Sequence, residues 1–493
     1  MRTESPGTAR SLVTPARLVF GLALLVRLTA VLAGRHLGIG LDDMFQYDML
    51  ARSLAIGQGF RWYAAADVAL IQRYLDFDPT THPAYDPRGL PTSFRAPLYP
   101  AFLAVLYGPA GPEARWFAAR LAQAVVGALA APLTWALARA LLPRRPRAAL
   151  AAASIVAVYP MLVLLPLALA TENLFLPLSL GLLNLLVRGP RPGRARGWAL
   201  QAGGVLGLAM LTRSVAAVFV PLVVLRAWRA TAREPLRTRW QAPALAVLAL
   251  AALTGPWLVR NARLHGRWVW LETSGGYNLY IGAHPQGDGT FYPPAAQELL
   301  VVVDDAERDA LARRRAWAFI RQAGPVEFAR RVLRRTAAFY GLETRVFMYL
   351  YSNGVLGAWP RPVLLAVLAV WLTPFPVLML LAARTWAHGN RGPGWAWAAA
   401  FALAYTLPHA LILADPRMHL ALVPLVAVAA VWTVAYRAQW RAVEATPRGR
   451  WRAWAGWAAQ AVLLAGWGAG LWAQRARWRV LLGPHGHEAH FDY

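Results

Sequence analysis

Two adjacent carboxylates, Asp42 and Asp43, open the stretch Asp42-Asp43-Met44-Phe45-Gln46-Tyr47, a few residues past the first long apolar run of the chain. Carboxylates beside a hydrocarbon slab lose hydration and meet a negative lipid surface, so a chain keeps them there for a partner or a reaction. Carboxylates in such a place can serve as general bases, and an inverting displacement at a sugar carbon is one reaction that uses them so. One carboxylate removes the acceptor proton while the sugar passes through an oxocarbenium-like state. Asp43 is the expected catalytic carboxylate and Asp42 its neighbour, and two such groups cannot both ionise freely at low dielectric, so one is expected to titrate high. If the acceptor is itself a phosphate, no base is required, and Asp43 would orient it or stabilise positive charge on the sugar. The competing structural role is a helix N-cap.

A second acid, Glu172, opens an otherwise apolar span, where it is costly unless it faces a polar cavity. It is expected beside Asp43, and its alternative is to complement a helix dipole. Arg213, Arg260 and Arg417 fall at span ends on the same side. Arginine binds phosphate bidentately and keeps its charge, so together they suit a clamp for a lipid phosphate, although any one of them could simply snorkel to the interface. Arg95 could contact either substrate. Asp76-Phe77-Asp78 has an Asp-x-Asp spacing, with His82 and Asp86 nearby, and is the candidate for a divalent cation; no cofactor is otherwise expected. The terminal His485, His487 and His490 lack the spacing of a zinc protease motif.

The elements that must position these groups follow from composition. Of 493 residues, 58% are apolar, too many for an ordinary soluble protein and suited to a polytopic membrane protein. The net charge is +27 with no Lys at all, and the Arg residues cluster between apolar runs, where the positive-inside effect puts them. That placement argues against a nucleic-acid partner. There is no Cys, so neither disulfides nor thiol chemistry enters. Arg27 interrupts the first apolar run and many more follow, so it is read as an uncleaved first helix rather than a signal peptide.

Runs of spanning length number about eleven. From a cytoplasmic N-terminus, every short Arg-rich connection falls inside, and two long segments, 34–112 and 260–361, fall outside with the turn at Asp415. The run 198–228, broken at Thr212-Arg213-Ser214, is expected to be two short helices in a hairpin with Arg213 at its tip. The second long segment is rich in Arg but carries Trp317, Ile320, Val332 and Phe339 at loosely helical spacing, as one or two amphipathic helices on the outer leaflet would. Residues 1–473 form the membrane domain in this reading and 474–493 a short tail. The fold class is an all-α polytopic bundle with juxtamembrane helices in its two outer loops.

Several stretches together resemble the GT-C glycosyltransferases that use a polyprenyl-phosphate sugar, among them the protein O-mannosyltransferases and the lipid A aminoarabinose transferases. They are Asp43-Met44-Phe45-Gln46-Tyr47 with its continuation to Gly57-Gln58-Gly59, Phe94-Arg95-Ala96-Pro97-Leu98-Tyr99-Pro100, Thr171-Glu172-Asn173, Leu211-Thr212-Arg213, Arg260-Asn261, Gly275 to Gly282, and Asp415-Pro416-Arg417-Met418-His419-Leu420. In the last, Met418 stands where an aromatic residue is commoner. The resemblance implies a GT-C-type bundle and catalysis on the outer face of the cytoplasmic membrane. It also implies a polyprenyl-phosphate sugar donor and a lipid, protein or glycan acceptor, and adds Tyr99 to the expected substrate-binding residues. Independently, the sequence has neither a P-loop nor a strand-flanked dinucleotide motif. A rival of another class, a transporter or flippase of lipid-linked saccharides, would place charges near the bilayer midplane and repeat its halves, and the sequence shows neither. A non-catalytic assembly subunit of the same fold is the third reading.

Overall fold

In the computed structural model, the described residues are 6–40, 43–72, 77–388, 392–447 and 449–490. Their regular secondary structure is helical apart from one two-residue antiparallel pairing, Arg61–Trp62 against Leu90–Pro91. Asp42 and Asp76 lie outside the described residues.

Among the described residues, four helices are long and apolar enough to cross a membrane: Thr14–Ala33, Leu98–Leu141, Leu236–His265 and Arg361–Ala387. The pair Pro146–Val158 and Pro160–Leu167, bent by 53°, meets the same test of length and apolarity only when its two helices are taken together. The bend is written in the sequence: the residue before a proline is driven out of the helical region, and Tyr159 sits at φ −61°, ψ 121° ahead of Pro160. Arg27, fully buried in the first helix, donates to the carbonyl of Ala157 at 2.9 Å beside this bend.

The expected count of eleven is not reached by length and hydropathy. Glu172–Arg188 has 17 residues and Val423–Ala435 has 13. At 1.5 Å per residue these cover about 26 and 20 Å of a hydrocarbon core roughly 30 Å thick. Pro393–Leu411 and Arg450–Ala473 are long enough, but their Trp, Gly and Pro residues dilute the apolar character. The chain is an integral, multi-pass membrane protein all the same.

One expected boundary moves. The stretch 98–112, read as the end of the first outer segment, is already helical from Leu98, and the helix breaks at Gly111 (φ 72°) between Pro109 and Pro112. The Arg-rich part of the second outer segment is one helical run, Asp305–Phe339, broken at Gly324 (φ 75°) ahead of Pro325. The run 198–228 is divided as expected: a helix to Thr212, Arg213 in extended geometry, then a 3-10 turn Ser214–Phe219 and a helix Val220–Ala230. The tail contains a short helix, Arg475–Leu481, and His490 N donates to Ser352 O at 3.0 Å.

Candidate active site

Asp43 stands in the first turn of the helix Asp43–Ala55, where its charge complements the exposed N–H groups. The helix is held from below by Asp48. That carboxylate is 1% exposed and accepts from Arg52 Nε (2.7 Å), Trp116 Nε1 (2.8 Å), Tyr107 Oη (2.9 Å) and Arg115 Nε (3.0 Å). Burial pushes the Asp48 carboxyl up, but these donors outweigh it and hold it below the ordinary carboxylate range. Every one of them except Arg52 comes from the helix Leu98–Ala128, so Asp48 ties the two helices together. Asp43, five residues earlier, remains 35% exposed.

Two arginines converge on Asp43 from distant parts of the chain. Arg95 pairs with one carboxylate oxygen and also donates to Gln46 Oε1 at 2.7 and 2.9 Å, and Arg417 Nη2 lies 3.1 Å from the other oxygen. The Arg95 guanidinium lies 5.2 Å over the Tyr47 ring and 5.0 Å over Phe94. Burial would raise the Asp43 carboxyl, yet the two guanidinium groups hold it well below the ordinary range; its neighbour Asp42 lies outside the described residues. The sequence reading considered Asp42 as the partner and did not anticipate two cations.

A second ion pair faces the first. Glu172 begins the helix Glu172–Arg188 and pairs with Arg213 at 2.7 Å, while Thr171 Oγ1 donates to its other oxygen at 3.1 Å. Arg213 is presented by the break between its two helices. Tyr47 lies in the field of both pairs, Asp43–Arg95 and Glu172–Arg213, and its hydroxyl is pushed up to about 12, chiefly by burial. The Glu172 and Arg417 charges also act on each other. Asp43, Glu172, Arg95, Arg213 and Arg417 therefore form one cluster around Tyr47.

Two expected substrate-binding residues stand apart. Tyr99 is fully buried; its hydroxyl donates to Gln123 Oε1 at 2.5 Å, and its ring meets Tyr47 edge-on with centroids 5.0 Å apart. Gln123 Oε1 also accepts from Asn173 Nδ2 at 3.1 Å, so Tyr99 links the helix of Asp43 to that of Glu172. Arg260 donates to Thr92 O at 2.6 Å and stacks 4.7 Å over Trp257. It steadies the segment that carries Arg95 and is not brought to the carboxylates.

That segment has a second anchor absent from the sequence reading. Asp305 Oδ2 accepts from Thr92 Oγ1 (2.7 Å), Ser93 N (2.7 Å) and Thr273 Oγ1 (2.9 Å). The turn carrying Arg417 is anchored as well. Asp415 caps it, with Arg417 N donating to its Oδ1 at 3.0 Å, and pairs with Arg345. Buried His419 reaches Phe339 O at 2.7 Å and Glu343 Oε1 at 3.1 Å, and Glu343 Oε1 also accepts from Tyr159 Oη at 2.7 Å. Glu272 completes the cluster: it accepts from Ser214 Oγ, and its charge acts on Arg95.

Two of the candidate cation ligands are engaged in local contacts. Asp78 caps the turn Pro79–Thr81, accepting from Thr80 N at 2.9 Å, and Asp86 pairs with Arg61 and Arg88, each at 3.0 Å. One group among the described residues could hold a metal ion: His265, Asp304 and Asp305 each offer a ligand atom within 4.8 Å of the others. Its nitrogen and oxygen donors are of the kind that bind divalent ions.

Residues 95–259 match the family model described as dolichyl-phosphate-mannose-protein mannosyltransferase. The matched region carries Arg95, Tyr99, Glu172 and Arg213. Over this part of the chain, the protein is similar to that family. No curated protein matches the sequence significantly. Among solved structures, the chain is similar to the archaeal oligosaccharyltransferase AglB from Archaeoglobus fulgidus, solved with an inhibitory peptide and a dolichol-phosphate. The identity is 14% over 99% of this chain and 62% of that one, with a TM-score of 0.45. It is also similar to ArnT from Cupriavidus metallidurans bound to undecaprenyl phosphate, at 17% identity over 90% of this chain and 82% of that one, with a TM-score of 0.35. The chain thus spans less than two thirds of the length of the archaeal enzyme.

Proposed function

We propose that the protein is an inverting glycosyltransferase that moves a sugar from a polyprenyl phosphate to an acceptor at the outer face of the cytoplasmic membrane. The observation that carries this reading is the pairing of Asp43 with both Arg95 and Arg417 beside the Glu172–Arg213 pair. Three cations and two carboxylates gathered from five separate stretches suit a reaction in which a phosphate leaves and a proton is taken up.

In this reading the bundle contains about eleven crossings, some shorter than a full span, and segments 34–112 and 260–361 roof a cavity above them. The donor phosphate binds Arg417 and Arg213. Arg417 is 43% exposed and within reach of an incoming anion. Binding there draws Arg417 from Asp43 and makes the carboxylate more basic. Asp43 then accepts the proton of the acceptor hydroxyl as its oxygen bonds to the sugar C1. The C1–O bond to phosphate breaks, its electron pair leaves with the phosphate oxygen, and the guanidinium groups stabilise that charge. Glu172 holds Arg213 in place, and an acceptor that is itself an anion would need no base.

The test is transfer of labelled sugar from polyprenyl-phosphate donors to a membrane extract by purified wild type and Asp43→Asn. Loss of transfer in the variant supports the assignment, and unaffected transfer would sink it. Absence of transfer from any donor, with lipid flipping in liposomes, would favour a flippase.

A further inference from the structure

Beyond the end of the helix Gln241–His265, Gly266 takes a left-handed turn (φ 61°) and releases the chain into residues 267–273. Side chains there alternate with the period of an extended chain. Val269 and Leu271 are buried, whereas Trp268 and Trp270 are 68% and 45% exposed. Opposite them stand Ala306, Asp309, Ala310 and Arg313, one face of the helix that starts at Asp305. Between the two lies a cavity of about 370 Å³, within the size range of small-molecule sites.

Tryptophans just past a span end ordinarily belong to the aromatic belt of the bilayer. Here they line a concave site together with Arg267, Glu272, Asp309 and Arg313. The charges balance, two of each sign, so the site lacks the positive excess that a phosphate requires. That excess lies at Arg95, Arg213 and Arg417. Aromatic faces edged by carboxylate and guanidinium groups suit a neutral saccharide: the rings' negative faces meet its C–H groups, and the charged groups hydrogen-bond its hydroxyls. Asp309 shapes the wall, accepting from Gly276 N at 2.5 Å. The two alanines leave room where a larger side chain would fill the cavity.

We infer that this pocket is a saccharide subsite, and that it holds the sugar of the acceptor next to the Asp43 cluster. The link is Glu272, which lines the pocket, accepts from Ser214 Oγ beside Arg213, and acts on Arg95 through space. The inference rests on the transferase reading and makes the acceptor a glycan or glycolipid. A sugar hydroxyl as nucleophile also makes the base at Asp43 necessary.

The test uses the full chain in detergent and saturation-transfer NMR with neutral gluco-, manno- and galacto-trisaccharides and tri-N-acetylchitotriose. Wild type should transfer saturation to the ring protons of at least one of them. The signal should fall at least fivefold in Trp268→Ala/Trp270→Ala, return in Trp268→Phe/Trp270→Phe, and disappear in Ala310→Trp, which fills the pocket from the opposite wall. Equal signals in wild type and Ala310→Trp, or none in wild type, overturn the inference. Because the readout is binding, it is independent of the Asp43→Asn transfer assay. Saccharide binding with transfer unaffected by Asp43→Asn would retain the pocket and remove the catalytic reading.

Discussion

Arg417 and Asp43 lie 374 positions apart and meet at 3.1 Å. The carboxylate they share with Arg95 is the most exposed acid of its helix's first turns, whereas Asp48 in the same helix is enclosed by four donors. This division predicts two phenotypes. Asp43→Asn should lower the transfer rate about 10²–10⁴-fold, the range of a lost general base, with the thermal unfolding midpoint unchanged. Asp48→Asn leaves Arg115 without its carboxylate, while Arg52 keeps only Asp67, and should cost about 3 kcal/mol of stability, read as a lowered midpoint.

The pH dependence follows from the same contacts. The Asp43 carboxyl is held well below the ordinary carboxylate range, so its ion pairs contribute stability above that range and lose it as pH falls through the folded value. The acid limb of kcat/KM, which reports the free enzyme, should therefore lie below about pH 4. The limb of kcat, which reports the donor complex, should lie higher, because bound phosphate competes for Arg417. Arg417→Ala should move the kcat/KM limb upward. Coincident limbs in wild type and variant would remove Arg417 from the control of Asp43.

Much of this cluster was legible in the sequence because membrane topology restricts where charges stand. Asp43, Glu172, Arg213 and Arg417 each lie near the end of an apolar run, where a charge stands out in the sequence. The bend at Tyr159-Pro160 and the break at Arg213 are local rules of backbone geometry. What stayed hidden depends on partners far along the chain. Asp48 looks like any amphipathic-helix acid until Tyr107, Arg115 and Trp116 fold onto it 59 to 68 residues later. Arg260 carries the same signal as Arg213, and only the fold directs it to a carbonyl. Asp305 lies in an Arg-rich segment whose sequence signals charge and gives no sign of burial. Asp42 and Asp76 remain proposals of the sequence alone.

The contrast between Arg213 and Arg260 is itself testable. Arg213→Ala and Arg417→Ala should each raise the donor KM about tenfold or more, equivalent to about 1.4 kcal/mol, and Lys should restore little because it cannot grip phosphate with two parallel N–H groups. Arg260→Ala should leave donor KM near wild type and lower the unfolding midpoint. A donor KM that responds to Arg260 as strongly as to Arg213 would return Arg260 to the clamp.

Asp305 offers the sharpest separation of positioning from contact. Its Oδ2 collects Thr92 Oγ1, Ser93 N and Thr273 Oγ1, so one oxygen holds both the strand leading to Arg95 and the segment that lines the Trp268–Trp270 pocket. An amide oxygen can accept the same three bonds, whereas a methyl group accepts none and leaves buried donors unsatisfied. Asp305→Ala should therefore reduce kcat about tenfold or more, loosening Arg95 against Asp43, and lower the midpoint. Asp305→Asn should recover most of both. If the essential feature were instead the Asp305 charge, as in an ion held with His265 and Asp304, the Asn variant would fail as badly as Ala, and added divalent cation would raise the midpoint of wild type alone.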